Sequence, residues 1–534
     1  SRVAEATIEG LLRIEADGAI VDGFDISPPD ATSNATAEAV LIANTPDNVI
    51  FRNNIVRDFG ENGVPQWEGV EAIVAFGGDG SDAITNVEIS NNLIKNIEGR
   101  NTDGGAAGIM IQGNVDGADV LNNVIQNIGM ANTAWAFGIQ VTGTGNHSVD
   151  PANIDVTDNS IDDILSNPST TTVGVGLGLE AGAASFNSNT INNAALLFED
   201  KTGNADVSAI NSNNTFDKGA YIETTGSIVY STIQAAIDVE ATAGDTVIVK
   251  AATYNEEVNV NKEVTIKGAG TGSTIITPAT SCSGTGISLA APNASIEDLT
   301  VTDFTTGVEV SSSNNTLNNI ESISNCNRGL ELKDGTTNIT VSNSKLNNND
   351  SLGFRKGTTA AVSGFTMNNS EVKGNVQGCF IAKVDGTGGR FDNVNITNSD
   401  FSNNTQKGMY FEALDNATFD GIVIDGSGVD TNYNFNAGID INLKYDDYSD
   451  ITIQNSEITN SGVAGPSSAT EAPVAIAIRP RDDAPSYDGN PATLSNVTIV
   501  NNIVTGPENG LRFGEFGKTN DGPTNVVVNE NDFS

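Results

Sequence analysis

The sequence predicts an all-β solenoid, a right-handed parallel β-helix, on three observations. A strand–Asn–strand element recurs along most of the 534 residues. Within each copy Val, Ile and Leu alternate with Thr, Ser, Asn and Glu, the period of a strand with one buried face. The mean composition is poor in charge (17%) and rich in Gly (56 residues), which suits many short strands and tight bends.

The element first reads Val49-Ile50-Phe51-Arg52-Asn53-Asn54-Ile55-Val56. It returns at 87–94, 118–125 and 154–161, with weaker copies near Asn189 and Asn213. Later copies fall at 339–346, 365–370, 394–399, 451–456, 497–503 and 526–529. A second strand precedes each copy, as in Gly138-Ile139-Gln140-Val141 and Gly438-Ile439-Asp440-Ile441. A single coil cannot bury its inward residues, whereas stacked coils share one continuous core. Asn at the bend tolerates left-handed backbone angles, and its amide can bond the equivalent Asn one coil away.

The repeat breaks once. Residues 231–239 read as a short amphipathic helix with Ile233, Ala236 and Ile237 on one face. Strands at 244–250, 252–258 and 264–270 follow, the pattern of a capped first coil. Two tandem segments are therefore expected: 1–216, the latter part of one β-helix, and 217–534, a second with its own cap helix. Both ends of the chain look like interior coils, which predicts end-to-end self-association or neighbouring domains of the same protein.

Lys plus Arg number 25 against 68 Asp plus Glu, a formal charge of -43. Such a chain repels phosphates, so nucleic acid is excluded as a partner. Membrane insertion is excluded too, since no apolar run of about 18 residues occurs. Polyanionic sugars would need a local basic groove. Three cysteines, Cys282, Cys326 and Cys379, allow one disulfide and one free thiol. The sole histidine, His147, has no triad or zinc spacing around it and reads as a loop residue.

The stretch 233–276 resembles the N-terminal cap and first coils of the pectin-lyase-like superfamily, and the Asn-rich coils resemble its repeat. That family holds pectate lyases, polygalacturonases, pectin methylesterases and many non-enzymatic surface proteins, so the resemblance implies fold more than activity. Asn101-Thr102-Asp103-Gly104 resembles the first polygalacturonase motif, but the later motifs of that group are missing, as are those of the methylesterases. Lyases need clustered carboxylates for calcium and a basic residue for the proton. Two acidic clusters qualify: Asp446, Asp447 and Asp450 beside Lys444, and Asp482, Asp483 and Asp488 beside Arg479 and Arg481. Each reads either as a Ca²⁺ or uronate site or as solvated loop carboxylates. Trp67 and Trp135 sit in insertions and could stack on sugar rings or cover a loop's own apolar cluster. Sequons such as Asn34, Asn338 and Asn395 are expected by chance in this composition.

With the catalytic motifs missing, the sequence predicts an extracellular or cell-surface structural module, adhesive or filament-forming. The alternative is a polysaccharide lyase or hydrolase, or a glycan-binding protein, acting on acidic polysaccharides.

Overall fold

The computed structural model describes residues 6–29, 37–60, 69–78, 82–99, 104–131, 133–143, 149–166, 174–463, 465, 473–515 and 517–534. The chain forms two compact units, Ser1–Glu240 and Ala241–Ser534, each built on a right-handed parallel β-helix.

In the first unit each coil contributes one strand to each of three parallel sheets. Ile55–Gly60, Leu93–Glu98 and Val124–Ile128 pair in the first sheet. Val70–Phe76, Gly105–Gln112 and Trp135–Thr142 pair in the second. Ile84–Ser90, Val115–Leu121 and Ala152–Thr157 pair in the third. Register partners are alike in character: Ile73, Ile109, Ile139 and Leu177 form one inward file, all fully buried.

The Asn doublets explain the corners. Asn53, Asn91 and Asn122 take positive φ angles of 57°, 54° and 54°, which turns the chain sharply. The second Asn of each doublet points inward. Asn54, Asn92, Asn123, Asn159, Asn189 and Asn214 form a buried ladder. Asn123 Oδ1 accepts from both the backbone N–H and Nδ2 of Asn92, at 3.0 Å each. Its own Nδ2 donates to Ile89 O at 2.9 Å and to Asn159 Oδ1 at 3.0 Å. The amide of Asn123 is thus fully used inside the core, and the backbone N–H of Asn92 at the bend is satisfied by it.

The second unit repeats the design. Asn325, Asn349, Asn375 and Asn404 form its buried amide ladder. One long sheet runs through Arg328–Leu332, Leu352–Lys356, Gln377–Ile381, Lys407–Phe411, Ala437–Ile441 and Val474–Ile478. Its inward file is Val308, Leu330, Phe354, Cys379, Met409, Ile439 and Ile476. Cys282 and Cys326 form the disulfide, and Cys379 is the buried free thiol of that file.

The short helix expected near 231–239 is present, and one further helix is not foreseen from the sequence. The cap helix expected at 231–239 is Ile233–Ala235 continuing as a π-turn over Ala236–Glu240. It falls within the first unit, because Ile228–Tyr230 pairs antiparallel with Leu196–Asp200. A second helix, Val207–Asn213, follows Asp206, whose side chain accepts from the backbone N–H of Ala209. Its Ser- and Asn-rich sequence gives no helical periodicity to read.

Lys356 is the exception among core residues. It occupies the inward position held by Leu332 and Ile381 on adjacent coils and is fully buried. Its Nζ donates to Gly357 O at 2.7 Å, and burial pushes the amine down to about 8 while Asp334 pulls the other way. The unfolded chain therefore binds more protons between about 8 and 10.5, so stability should rise with pH across that window. Lys356→Leu should raise stability at neutral pH by about 1–3 kcal/mol and remove that rise. Thermal unfolding at several pH values checks both; an unchanged melting temperature would show the amine to be well accommodated. For the ladder, Asn123→Ala should cost about 3 kcal/mol by orphaning buried amides. Asn127→Gly keeps a left-handed turn on the exposed ladder and should cost under about 1 kcal/mol in the same measurement.

Candidate functional site: a charged face on the second β-helix

Five of the six strands of the long sheet just described carry Gly at their second position and point one side chain outward two residues later. Strand register lines these up as Glu309, Glu331, Arg355, Phe380, Tyr410 and Asp440. Lys407 lies one turn of the pleat earlier, and the residues just past the strand ends include Lys383, Glu412, Lys444, Arg479, Arg481 and Glu515.

Lys407, Asp440, Arg479, Glu515, Arg481 and Asp483 form a continuous ion network. Asp440 is 1% exposed and receives Lys407 Nζ at 2.6 Å and Arg479 Nη2 at 2.5 Å. Arg479 Nη1 reaches Glu515 Oε2 at 2.7 Å, and Arg481 Nη1 meets the same oxygen at 3.2 Å. Arg481 also grips Asp483 with two nitrogens, at 2.7 and 3.0 Å, a bidentate pair. Tyr410 donates its hydroxyl to Glu412 at 2.8 Å and accepts from Asn442 Nδ2 at 3.1 Å, while Lys444 pairs with Glu412. Lys407 Nζ stands 3.5 Å from the Tyr410 ring centroid, and Phe380 stacks on Tyr410 at 5.3 Å.

Burial works to raise the Asp440 pKa, but Arg479 and Lys407 outweigh it and hold the carboxyl at about 2. Burial, with Glu412 and Asp440 nearby, drives the Tyr410 phenol well above its ordinary range, so it keeps its proton at neutral pH.

Among the residues singled out from the sequence, the structure brings Arg479, Arg481 and Asp483 together here. The other carboxylates turn to separate partners. Asp446 pairs with Lys383 at 2.5 Å, Asp447 accepts from Thr493 Oγ1 at 2.6 Å, and Asp450 accepts from Asn496 Nδ2 at 2.9 Å. Asp482 accepts from the backbone N–H of Asp521 at 2.9 Å, and Asp488 is exposed. Among the described residues no three His, Cys, Asp or Glu side chains are grouped so as to hold a metal ion. Trp135 lies in the first unit. It packs flat against the bare backbone of Gly105 and covers a cluster of Val74, Ala107, Met110, Phe137 and Val175 on the outer side of its sheet. Trp67, His147 and Asn101 to Asp103 lie outside the described residues.

Sequence reasoning missed Lys407, Tyr410, Glu412, Asp440 and Glu515. The signal was present as a Gly-x-(polar or aromatic) spacing at each strand start, Gly353-x-Arg355, Gly378-x-Phe380, Gly408-x-Tyr410 and Gly438-x-Asp440.

Removing one partner of such a buried pair leaves the others uncompensated. Asp440→Asn should therefore cost about 3–5 kcal/mol in denaturant unfolding, against under about 1 kcal/mol for a solvated pair. Its stabilising share should be present above the ordinary carboxyl range and vanish as pH falls toward 2.

Residues 254–390 match the family model described as right handed beta helix region. No curated protein matches the sequence. Among solved structures, the A-module of a mannuronan C-5 epimerase of Azotobacter vinelandii is similar at 17% identity, over 57% of this chain and 92% of that one, with a TM-score of 0.36. An alginate lyase of a Paenibacillus species is similar at 11% identity, over 55% and 96%, with a TM-score of 0.35. A pectin methylesterase of Yersinia enterocolitica follows at 14% identity, over 57% and 90%, with a TM-score of 0.25. At such identities the likeness is one of fold. What is shown is the fold: residues 254–390 carry the right handed beta helix region, and the strand pairing described above is that of a parallel β-helix.

Proposed function

We propose that the second β-helix binds an acidic polysaccharide along this charged face, as an extracellular or cell-surface protein would. The carrying observation is where the cations are. Arg328, Lys333, Arg355, Lys383, Lys407, Lys444, Arg479 and Arg481 lie on this sheet or within three residues of its strand ends, and all of them but Arg355 are paired with carboxylates. On a chain of charge -43, most of the surface repels a polyanion, and a cation without an ionic partner is where one can settle.

Arg355 supports the reading further. Glu331, its neighbour in register, is already paired with Arg328 at 2.7 Å. Arg355 has no ion pair among the described residues, and its Nε is buried without a hydrogen-bond partner. A planar guanidinium in that state matches a carboxylate presented in bidentate fashion. Successive coils repeat at about 4.8 Å, so a linear polymer lying along the axis passes from Arg355 onto the stacked rings of Phe380 and Tyr410 on the next two coils. Of the two readings of the sequence, stacking module and glycan binder, this face favours the second.

Affinity electrophoresis in gels cast with a polyuronate or a neutral glucan tests it. Retardation by the polyuronate should weaken with salt, and Arg355→Ala should reduce it about tenfold, the worth of one charge-assisted contact. Equal retardation by the neutral glucan, or by the Arg355→Ala variant, would sink the proposal. Ultraviolet absorbance from an unsaturated uronate product would instead assign lyase chemistry to the face.

A further inference from the structure

The second unit has another long face with opposite character. Its sheet runs through Thr316–Ile323, Thr337–Ser342, Val362–Asn368, Phe391–Thr397, Asp415–Asp420, Asp447–Gln454 and Thr493–Val500. Register places Thr316, Thr340, Thr366, Thr418, Thr452 and Thr498 in one outward file, with Asn395 in the single gap. Leu317, Val341, Met367, Phe419, Ile453 and Ile499, next along each strand, are fully buried, so the threonines are fixed facing out.

Three properties set this face apart. First, none of those six hydroxyls bonds to another protein group among the described residues. Second, between coils 316 and 498 the threonine file and the outward file two residues on hold one charged side chain, Asp420, while Asp392, Asp415, Asp447 and Asp450 of these strands stand toward the opposite margin. That is notable on a chain of charge -43. Third, the sheet is braced along both margins by ladders of left-handed Asn residues. Asn338 donates to Asn314 at 2.9 Å and Asn496 to Asp450 at 2.9 Å on one margin. Asn369 donates to Asn343 and Asn501 to Asn455, each at 2.7 Å, on the other. Side-chain ladders of this kind hold a sheet flatter than its natural twist.

From this face we infer that the protein binds ice. A soluble small ligand needs a concave pocket, and a polyelectrolyte gains nothing from a neutral surface. A regular, uncharged file of free hydroxyls suits a regular, neutral solid. The hydroxyls sit about 4.8 Å apart along the file, and the parallel file lies about 6.6 Å away across the strand. Each threonine offers a hydroxyl to hydrogen-bond water and a methyl that limits where that water sits. Water held at fixed repeats is already partly ordered as in the solid, so less entropy remains to be lost when the lattice grows onto it. The inference is independent of the acidic-glycan reading, which concerns a different sheet.

The test uses the full chain. Slow growth of a polycrystalline ice hemisphere from dilute protein should incorporate the wild type, and nanolitre osmometry should show a gap between melting and freezing points. The triple variant Thr340→Tyr, Thr366→Tyr, Thr418→Tyr should be incorporated at least tenfold less, with unchanged melting temperature and unchanged polyuronate retardation. Thr452→Tyr alone serves if the triple variant fails to fold, and should show a smaller loss of the same sign. Exclusion of the wild type from ice, or equal incorporation of the variants, overturns the inference. Sedimentation with microcrystalline cellulose alongside exclusion from ice overturns it too, and assigns the face to a crystalline glycan.

Discussion

The structure depends on one interaction above the others: the amide of a buried Asn that bonds the coil before it and the coil after it. In the first unit this runs unbroken from Asn54 to Asn214. Each side chain supplies the acceptor for a backbone N–H that the bend would otherwise strand in the core, as Asn189 does for Asn159 at 3.0 Å. A slip of one residue in any coil would break that bond and turn every inward side chain of the strand outward. The ladder therefore fixes register, and register decides which distant residues become neighbours. Where Ser replaces Asn, as at Ser427 and Ser461, the hydroxyl carries the same role with one donor fewer.

The charged face follows from that constraint. Lys407, Asp440 and Arg479 are separated by 33 and 39 residues in sequence yet share one carboxylate. None of them has periodicity to mark it, and only the coil count brings them together. Taking these ions out of water is costly, and the network is tolerable because each is answered by an opposite charge or a hydrogen bond. Such a network is stiff. It holds the residues after each strand against the sheet, and leaves Arg355 as the cation on that row without an ionic partner of its own.

Much of this was legible in the sequence. The Asn doublets gave the corner and the interior ladder together, because one Asn must tolerate a left-handed turn and the next must point inward. The alternation gave the buried files, and the change of pattern near residue 231 gave the helix there. Other features were hidden for physical reasons. The unit boundary at Glu240 rests on an antiparallel pairing between Ile228–Tyr230 and Leu196–Asp200, which no repeat announces. The pairing of Cys282 with Cys326 follows from coil geometry alone. Lys356 reads in the sequence as a surface lysine, and only its strand register shows it to be a core residue. The acidic clusters looked like ligand sets because their members are close in sequence; in a strand, adjacent residues face opposite ways, and each carboxylate found a different partner.

Coil length is the remaining variable. Equivalent ladder residues are 21 apart from Asn293 to Asn314 and 46 apart from Asn455 to Asn501. Both coils nonetheless advance the axis by the same step of about 4.8 Å. Extra residues therefore add breadth at a corner without adding height. Inheritance can act on the two dimensions separately: lengthening a corner remodels what the surface can hold, while duplicating a coil lengthens the track on which it is held.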